Sequence, residues 1–319
     1  MNIEIVALTG GVGGAKLALG LDRLFPAGRL ACVVNTGDDF DHLGLRICPD
    51  VDTLVYTLAG CSDPERGWGR VDETWSFMRV LESLGGPGWF RLGDGDLAVH
   101  VERTHRLRAR ESLTTITARL ARALGIQTLV LPMTDQPVAT RVLTTEGTLD
   151  FQDYFVARRA EPRITGIEFS GHESAQLTPA VRSALASPGL QAIVLCPSNP
   201  WLSMDPILSV PGMRSAVRSA GVPVVAVCPL IAGRSVKGPT AKIMAELGIK
   251  ADPSSIAMHY ADVADGLVID TADASWADRC AMPTRVTPTL MSNLEDRKRL
   301  AAETVSFAAS LRASRALTR

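Results

Sequence analysis

The chain of 319 residues lacks the features that mark several classes of protein. Its 33 Lys and Arg nearly balance 34 Asp and Glu, and the net charge of −1 favours neither nucleic acid nor an anionic membrane. The basic cluster Arg103 to Arg110 is flanked by acidic residues and is interpreted as a solvated face. No apolar run approaches the ~18 residues of a membrane span, and the first begins at residue 3, before a signal peptide could fit. We therefore expect a cytoplasmic protein without nucleic-acid or membrane partners.

Several signatures of covalent catalysis and metal binding are also missing. The six cysteines form no CxxC pair, and Cys32, Cys196 and Cys228 lie in apolar runs, where a thiol behaves as a small hydrophobic group. The five histidines show no HxxxH spacing, and the sequence contains no GxSxG segment. We therefore expect reduced cysteines and chemistry without a covalent enzyme intermediate.

The composition that remains, 46% apolar and 21% charged, is typical of a globular protein with a large core. Short runs rich in Val, Ile and Leu recur without polar alternation, as in parallel strands buried on both faces. These runs are Ile3–Leu8, Leu30–Val34, Thr128–Leu131, Ala192–Leu195, Pro223–Val227 and Leu267–Ile269. Helical patterns lie between them, so the sequence predicts an α/β fold with a Rossmann-like, doubly wound, mostly parallel sheet.

Two segments interrupt this alternation, and we interpret both as insertions on one compound domain that spans residues 1–319. Residues 61–110 contain helical patterns but no clear strand. Within residues 138–169, a Glu146-Gly147 turn separates two apolar runs and predicts a small β-hairpin.

The segment TGGVGGAK at 9–16 follows the first predicted strand and opens a helical pattern. It matches neither GxGxxG nor GxxxxGK[ST]. A strand, a glycine turn and a helix start nevertheless present backbone N–H groups and the positive end of the helix dipole to an anion. We therefore predict a phosphate site at Gly10, Gly11, Gly13, Gly14 and Lys16. The alternative is a turn that only allows close packing.

Five aspartates follow the second strand, at positions 38, 39, 41, 50 and 52. The carboxyl ends of neighbouring parallel strands meet at one edge, so this acidic loop should lie beside the glycine loop. Carboxylates together with phosphates are the usual ligands of magnesium, and we predict that at least one aspartate binds Mg²⁺. The alternative assigns them to turns and helix caps, with Asp50 or Asp52 capping the helix that ends near Ala59.

Polar residues follow two later strands as well. Ser198 and Asn199 come after the fourth apolar run, and Lys237 lies in a glycine-containing basic loop after the fifth. Both segments could bind a phosphate, although a solvated turn is the alternative for the Lys237 loop. In the first insertion, Trp68 and Trp89 lie among glycines, where they either stack on a flat ring or seal a hydrophobic edge.

Several motifs in combination resemble the 2-phospho-L-lactate transferase family, CofD or FbiA, of coenzyme F-420 biosynthesis. They extend over nearly the full length of the chain: GGVGGAK at 10–16, VVNTGDDF at 33–40, ICPDVDT at 47–53, RLGDGDLAVH at 91–100, CPSNPWLSMDPILSVPGM at 196–213 and KGPTAK at 237–242. The resemblance implies a Rossmann-like core, Mg²⁺, a guanosine diphosphate-linked donor and, often, a homodimer. It also implies a transfer reaction of the phosphodiester-forming kind. The hydroxyl of the deazaflavin Fo attacks the phosphorus that bears phospholactate, phosphoenolpyruvate or phosphoglycerate, and GMP is released.

The resemblance also implies roles for individual residues. Asp52 and Arg91 would contact the acceptor Fo. We also predict that Trp68 or Trp89 approaches the deazaflavin ring, because both lie in the glycine-bordered insertion. Asp38 and Asp50 are candidates for the metal and for the proton of the attacking hydroxyl. The donor nucleotide and its phosphates would be held by the glycines 10, 11, 13 and 14 and by Lys16, Asn35, Ser198, Asn199 and Lys237.

Two other functions share some of these features. A sister family of non-catalytic regulators that bind nucleotide sugars has the same glycine loop and core, but ICPDVDT and RLGDGD favour the transferase. An NAD(P) dehydrogenase is disfavoured by the failed GxGxxG match and by the lack of a lone acidic residue at the end of strand two.

Overall fold

The computed structural model describes residues 2–317, with side chains up to residue 314. Its strands are β1 (Ile5–Thr9), β2 (Leu30–Val34), β3 (Phe40–His42), β4 (Leu45–Ile47), β5 (Leu129–Pro132), β6 (Ala139–Thr144), β7 (Gly147–Asp150), β8 (Ile164–Ser170), β9 (Ala192–Leu195), β10 (Val224–Val227), β11 (Leu230–Ile231), β12 (Arg234–Ser235), β13 (Gly266–Ile269) and β14 (Thr284–Val286). All six predicted strands are present.

Its α-helices are α1 (Gly11–Leu24), α2 (Pro49–Ala59), α3 (Ser76–Ser83), α4 (Asp94–Arg108), α5 (Leu113–Ala123), α6 (Pro179–Leu185), α7 (Asp205–Ser209), α8 (Met213–Ser219), α9 (Thr240–Glu246), α10 (Pro253–His259) and α11 (Leu294–Leu317). π-Helical turns occupy Asp153–Ala157 and Pro200–Met204, and 3-10 turns occupy His172–Ser174 and Thr271–Arg279. Within residues 2–317, no helix combines the length and apolar character needed to cross a bilayer.

Seven strands form the central sheet in the order β14-β13-β10-β9-β1-β2-β5, and every pair is parallel. Alternate residues of β1 enter two different hydrophobic clusters: Val6 and Leu8 join one, and Ile5 and Ala7 join the other. Because successive side chains of a strand point to opposite faces, the sheet is buried between two layers. The predicted doubly wound α/β fold is confirmed.

The strand order reverses direction at β1. From β1 the chain continues through α1 to β2 on one side, whereas β9 pairs with β1 on the other side. Such a reversal leaves a crevice at the carboxyl ends of the two central strands, where ligands of doubly wound proteins bind. The glycine loop after β1 and the Ser198 loop after β9 meet at this crevice.

Three further strand groups lie outside the central sheet, and one of them is the short antiparallel pair of β11 and β12. The predicted hairpin is present as β6 and β7, and a third antiparallel strand, β8, pairs with β6. A second hairpin, β3 with β4, lies between β2 and α2. The sequence reading missed this hairpin because its strands are only three residues long and carry charged residues.

Candidate active site

A cavity of about 920 Å³ opens at the carboxyl ends of the central strands. The glycine loop, the first turn of α2 and the Ser198 loop line its floor. Residues 66–69 and 89–91 of the first insertion, residues 151–156, the segment 236–240 and residues 289–291 complete its walls. The cavity is large enough for a nucleotide-sized ligand together with a second ring system.

Three residues of the glycine loop must be glycine, because a Cβ at each position would collide with a neighbouring segment. A Cβ on Gly10 would lie 2.5 Å from Oδ2 of Asp50, and one on Gly13 would lie 2.6 Å from the carbonyl oxygen of Pro197. A Cβ on Gly14 would lie 2.5 Å from Oγ of Ser198. Gly11, the first residue of α1, has a φ of +61°. Glycine therefore lets α1 start directly against two neighbouring loops.

Asp50 links α2 to this helix start. Its Oδ1 accepts the backbone N–H of Gly11 at 2.8 Å, and its Oδ2 accepts the side-chain amide of Asn35 at 2.9 Å. The interpretation of Asp50 or Asp52 as the cap of its own helix is wrong. Residue Cys48 occupies the N-cap of α2, and both aspartates lie in the first turn. Asp50 instead satisfies an N–H at the positive end of α1.

Asp38 is buried beside Asp50. Among the described residues, its Oδ1 has no hydrogen-bond partner, while its backbone carbonyl accepts the side-chain amide of Gln152 at 3.1 Å. Burial, and then the charge of Asp50, raise the pKa of Asp38 well above its ordinary value. Burial raises the pKa of Asp50 to about 6, although the hydrogen bonds from Asn35 and Gly11 oppose the shift. When two adjacent carboxylates are buried, ionising both at once costs free energy unless a cation compensates their charges.

The predicted donor residues Asn35, Ser198 and Asn199 all lie at the crevice and make structural bonds there. Ser198 Oγ accepts the N–H of Gly10 at 3.1 Å and lies 2.7 Å from its carbonyl oxygen. Asn199 Oδ1 accepts the N–H groups of Trp201 and Leu202, at 3.0 and 3.1 Å. Asn35 Oδ1 accepts the N–H of Gly37 at 2.7 Å. These side chains therefore shape the loops that line the cavity.

Two predicted lysines, Lys16 and Lys237, line the cavity. Lys16 Nζ donates to the carbonyl of Met291 at 3.2 Å, and Lys237 Nζ donates to the carbonyl of Gly67 at 3.3 Å. Burial, and then the charges of Arg297 and Lys237, lower the pKa of Lys16. Neighbouring cations repel one another and make this part of the cavity electrostatically positive. A bound anion would reduce that repulsion.

The aromatic rim of the cavity belongs to the first insertion. Trp68 and Trp89 are 45% and 41% exposed, which leaves ring surface available to a ligand. Trp68 contacts Trp75 edge-to-face at 6.4 Å, and the guanidinium of Arg91 lies 4.5 Å from the centre of the Trp75 ring. Both predicted tryptophans and Arg91 line the cavity.

Asp52 also lines the cavity, but its carboxylate is engaged by a residue that the sequence reading placed elsewhere. Both oxygens of Asp52 contact the guanidinium of Arg103, with Nη1 at 3.1 Å from Oδ2. Arg103 is fully buried, so its interpretation as part of a solvated face is wrong. The neighbouring Arg106 does fit that interpretation, since it pairs with Glu102 and Glu111 near the surface.

Sequence reasoning also missed Asp96 and His100, which lie on the same face of α4 as Arg103. The Tyr56 hydroxyl donates to Asp96, and His100 Nε2 lies 3.3 Å from the other Asp96 oxygen. An arginine can only donate, so Nδ1 of His100, 3.3 Å from Arg103 Nη1, must accept. Oxygen and nitrogen atoms of Asp52, Asp96 and His100 lie close enough to hold a metal ion. Arg103 already supplies a positive charge there, which makes this group a less favourable cation site than Asp38 with Asp50.

The fold and the cavity define a doubly wound α/β protein with its ligand site at the topological switch point. Within this class, residues 5–305 match the model of the family described as 2-phospho-L-lactate transferase CofD. The chain therefore belongs to the CofD family, which is a family of transferases.

Curated relatives cover almost the entire chain. A phosphoenolpyruvate transferase from Streptomyces griseus is 38% identical over 320 residues, which cover 98% of this chain and 100% of the relative. A 2-phospho-L-lactate transferase from Methanosarcina mazei is 36% identical over 300 residues, which cover 93% of this chain and 98% of the relative. A crystal structure of a UPF0052 family protein from Bacillus halodurans has a TM-score of 0.61 at 14% identity, and covers 95% of this chain and 99% of that chain. This last similarity supports the fold alone.

Proposed function

We propose that this protein transfers a phospho-organic acid from a diphosphoguanosine donor to the hydroxyl of the deazaflavin Fo and releases GMP. The single observation that carries this proposal is the joint presence, in one cavity, of a glycine-lined helix start and the buried pair Asp38 and Asp50. The names of the relatives support the transfer of an acid-bearing phosphoryl group. We place phosphoenolpyruvate first among the donor acids because the Streptomyces griseus relative, which covers 98% of this chain, carries that name.

The donor diphosphate would lie at the N-terminus of α1. Backbone N–H groups and the helix dipole favour an anion there, and Lys16 and Lys237 add positive charge to the same cavity. Asn35, Ser198 and Asn199 would support the donor site through the loops that they hold. Binding of the donor would require Lys237 to exchange the Gly67 carbonyl for a phosphate oxygen.

Magnesium fits Asp38 and Asp50 on the chemistry of the donor set. Asp38 and Asp50 are the residues that would hold the ion: Oδ1 of Asp38 is buried without a hydrogen-bond partner among the described residues, and burial raises the pKa of both carboxylates, so a hard divalent cation would favour their ionised form. When bound, Mg²⁺ supplies positive charge to the diphosphate during the transfer.

The transfer itself needs positioning and charge neutralisation rather than a covalent enzyme intermediate. The acceptor hydroxyl oxygen forms a bond to the phosphorus that bears the acid. The bond from that phosphorus to the bridging oxygen breaks, and GMP leaves with this oxygen. The proton of the hydroxyl would pass to whichever of Asp38 and Asp50 does not hold the metal directly, because a carboxylate bound to a divalent cation is a weaker base.

The acceptor would lie under the first insertion. Trp68 and Trp89 offer exposed rings for stacking on the deazaflavin, and Arg91 offers a cation at the same rim. Asp52 lies on the wall below them, where Arg103 holds its carboxylate. Family resemblance further supports a homodimer, which light scattering of the purified protein would test.

Mass spectrometry provides the decisive experiment. The protein is incubated with Fo, GTP, a partner guanylyltransferase and, in separate reactions, phosphoenolpyruvate, 2-phospholactate or 3-phosphoglycerate. A product mass of Fo plus one phospho-acid, formed together with GMP, supports the proposal and assigns the donor. Binding of a uridine diphosphate sugar without any product would instead support a regulator.

A further inference from the structure

We propose that Arg103 is a positioning residue that holds Asp38 and Asp50 in register with the glycine loop. This inference rests on the proposed function, because Asp38 and Asp50 are the carboxylates to which that function assigns the metal and the proton. Arg103 itself does not act on the substrate. Arg103 lies on α4 of the first insertion, while the two aspartates flank the β3–β4 hairpin of the core. The insertion would therefore do more than cover the cavity, since it would also set the geometry of the carboxylates beneath it.

The contacts of α4 with the hairpin support this role. Arg103 Nη1 donates to the carbonyl of Arg46 at 3.3 Å, and the N–H of Arg46 donates to Thr104 Oγ1 at 2.8 Å. Adjacent residues of α4 thus hold both backbone groups of one residue in β4. Arg108 adds a bond to the carbonyl of Gly44 at the turn, at 3.1 Å. Residues of α4 thus hold both β4 and the turn of the hairpin.

The same guanidinium holds the far end of the segment. Its contacts with both oxygens of Asp52 fix the first turn of α2, and Asp50 lies in that turn. Asp38 precedes β3 and Asp50 follows β4, so Arg103 contacts the segment between the two carboxylates at Arg46 and the helical turn just after it at Asp52. A planar guanidinium can bind a carboxylate with two nitrogen atoms and a carbonyl with the same fork, which a lysine cannot do.

Burial makes this arrangement energetically sensitive. Arg103 is fully buried. Burial is the largest single influence on its guanidinium and lowers the pKa, but the charge and hydrogen bond of Asp52 together with the other acidic groups nearby outweigh it, so the pKa is raised. Loss of one partner of a buried ion pair leaves the other charge without compensation, so the surrounding backbone must move. Displacement of β4 or of the first turn of α2 would separate Asp38 from Asp50.

The test measures metal binding apart from turnover. Arg103→Lys keeps the charge but removes the fork, and Thr104→Val removes the other contact with Arg46. Arg106→Met, on the same helix, removes only surface pairs and is the matched control. Electron paramagnetic resonance of Mn²⁺ in the presence of GDP reports metal affinity, and thermal unfolding reports whether each variant folds.

We expect Arg103→Lys to bind Mn²⁺ about 10-fold to 100-fold more weakly than the wild type, as is usual when a residue that orients metal ligands is changed. Thr104→Val should show a smaller loss in the same direction, and Arg106→Met should show none. A folded Arg103→Lys with wild-type Mn²⁺ affinity would overturn the inference. If Arg103→Lys does not fold, wild-type Mn²⁺ affinity in Thr104→Val has the same meaning. If the variants show these differences in Mn²⁺ affinity but the wild type makes no Fo product, the proposed function is refuted and the positioning role of Arg103 stands.

Discussion

The carboxylate of Asp50 accepts the backbone N–H of Gly11 at 2.8 Å, so a side chain from α2 occupies part of the positive end of α1. A phosphate bound at this helix end would therefore meet a negative group of the protein. The two anions can share the site only if a proton or a cation lies between them. The raised pKa of Asp50, to about 6, is the response of the unliganded site, and a divalent cation is the response expected with the donor bound.

Gly13→Ala should weaken the binding of GDP. The new Cβ would lie 2.6 Å from the carbonyl oxygen of Pro197, which is backbone and cannot rotate away, so the two loops must separate. We expect a loss of affinity of about tenfold, or ~1.4 kcal/mol, and a loss of roughly 1–3 kcal/mol of unfolding free energy. Calorimetric titration with GDP and Mg²⁺ gives the affinity.

Gly88→Ala is the matched control for that variant. Gly88 lies in an exposed loop, and the nearest group to its new Cβ is the flexible Glu82 side chain at 3.0 Å. This variant should bind GDP as the wild type does. Wild-type affinity in Gly13→Ala as well would mean that the glycine loop does not contact the donor.

The stability of the protein should depend on pH in a direction set by Asp38 and Asp50. Both have raised pKa values in the folded state, so the folded protein keeps protons that the unfolded chain releases near its ordinary pKa of 3.8. The stability that these two groups contribute is then fully present below about pH 4 and is lost as the pH rises through their folded pKa values. For Asp50, whose pKa is raised from 3.8 to about 6, this contribution is on the order of a few kcal/mol.

Thermal unfolding between pH 4 and 8 without divalent cations measures this effect. Because other groups also titrate, the informative quantity is the difference between the wild type and the double variant Asp38→Asn/Asp50→Asn. The wild type should lose stability relative to the variant as the pH rises. Adding Mg²⁺ with GDP should restore the wild type, more at pH 7.5 than at pH 5. A constant difference at all pH values would contradict the raised pKa values.

Fo should quench the fluorescence of the tryptophans at the cavity rim. Trp68→Leu and Trp89→Leu should each reduce the quenching and weaken Fo binding by roughly threefold to tenfold, the range that a lost aromatic contact gives. Trp276→Leu is the control, since Trp276 lies in the 3-10 turn Thr271–Arg279 and does not line the cavity. If both rim variants keep full quenching and affinity, these tryptophans only pack the insertion.

The positions of the strands, and the edge of the sheet at which the cavity lies, could be predicted from the sequence because both depend on local patterns. Apolar runs such as Leu30–Val34 lack alternation, and a strand buried on both faces needs no other signal. The glycine loop was equally readable, since a strand, a turn and a helix start follow one another directly in the chain. β14 was missed because Thr284–Val286 is short, half-buried and contains an arginine.

The environment of Asp52 could not be predicted in this way. Its partner Arg103 lies 51 residues from Asp52 in the chain. Arg103 also binds the carbonyl of Arg46, which lies 57 residues from Arg103. The burial of Arg103 and the position of Arg106 near the surface depend on how α4 docks on the hairpin, which is a contact between segments distant in the chain. One signal was available: Asp96, His100 and Arg103 recur at helical spacing and so share one face.

Asp38→Asn gives the sharpest test of the carboxylate pair. Removing the charge should reduce the rate of transfer by about 10²–10⁴, because charge stabilisation and proton transfer are each worth amounts of this size. The same change should leave stability unaltered or higher at pH 7.5 without Mg²⁺, since it removes a buried charge that Asp50 repels. Single-turnover rates and melting temperatures of the same preparation measure both effects.

An aspartate that only fastens a loop would behave in the opposite way, and Asp135 provides that comparison. Asp135 is exposed, and its Oδ1 accepts both the N–H and the hydroxyl of Thr114 at 2.8 Å. Asp135→Asn should cost about 0.5–2 kcal/mol, as the loss of a capping carboxylate does, while the folded protein keeps its rate. If Asp38→Asn follows Asp135→Asn, with full activity and lower stability, then Asp38 is a structural residue. Because the two readings differ in the sign of the stability change as well as in the rate, one pair of variants separates them.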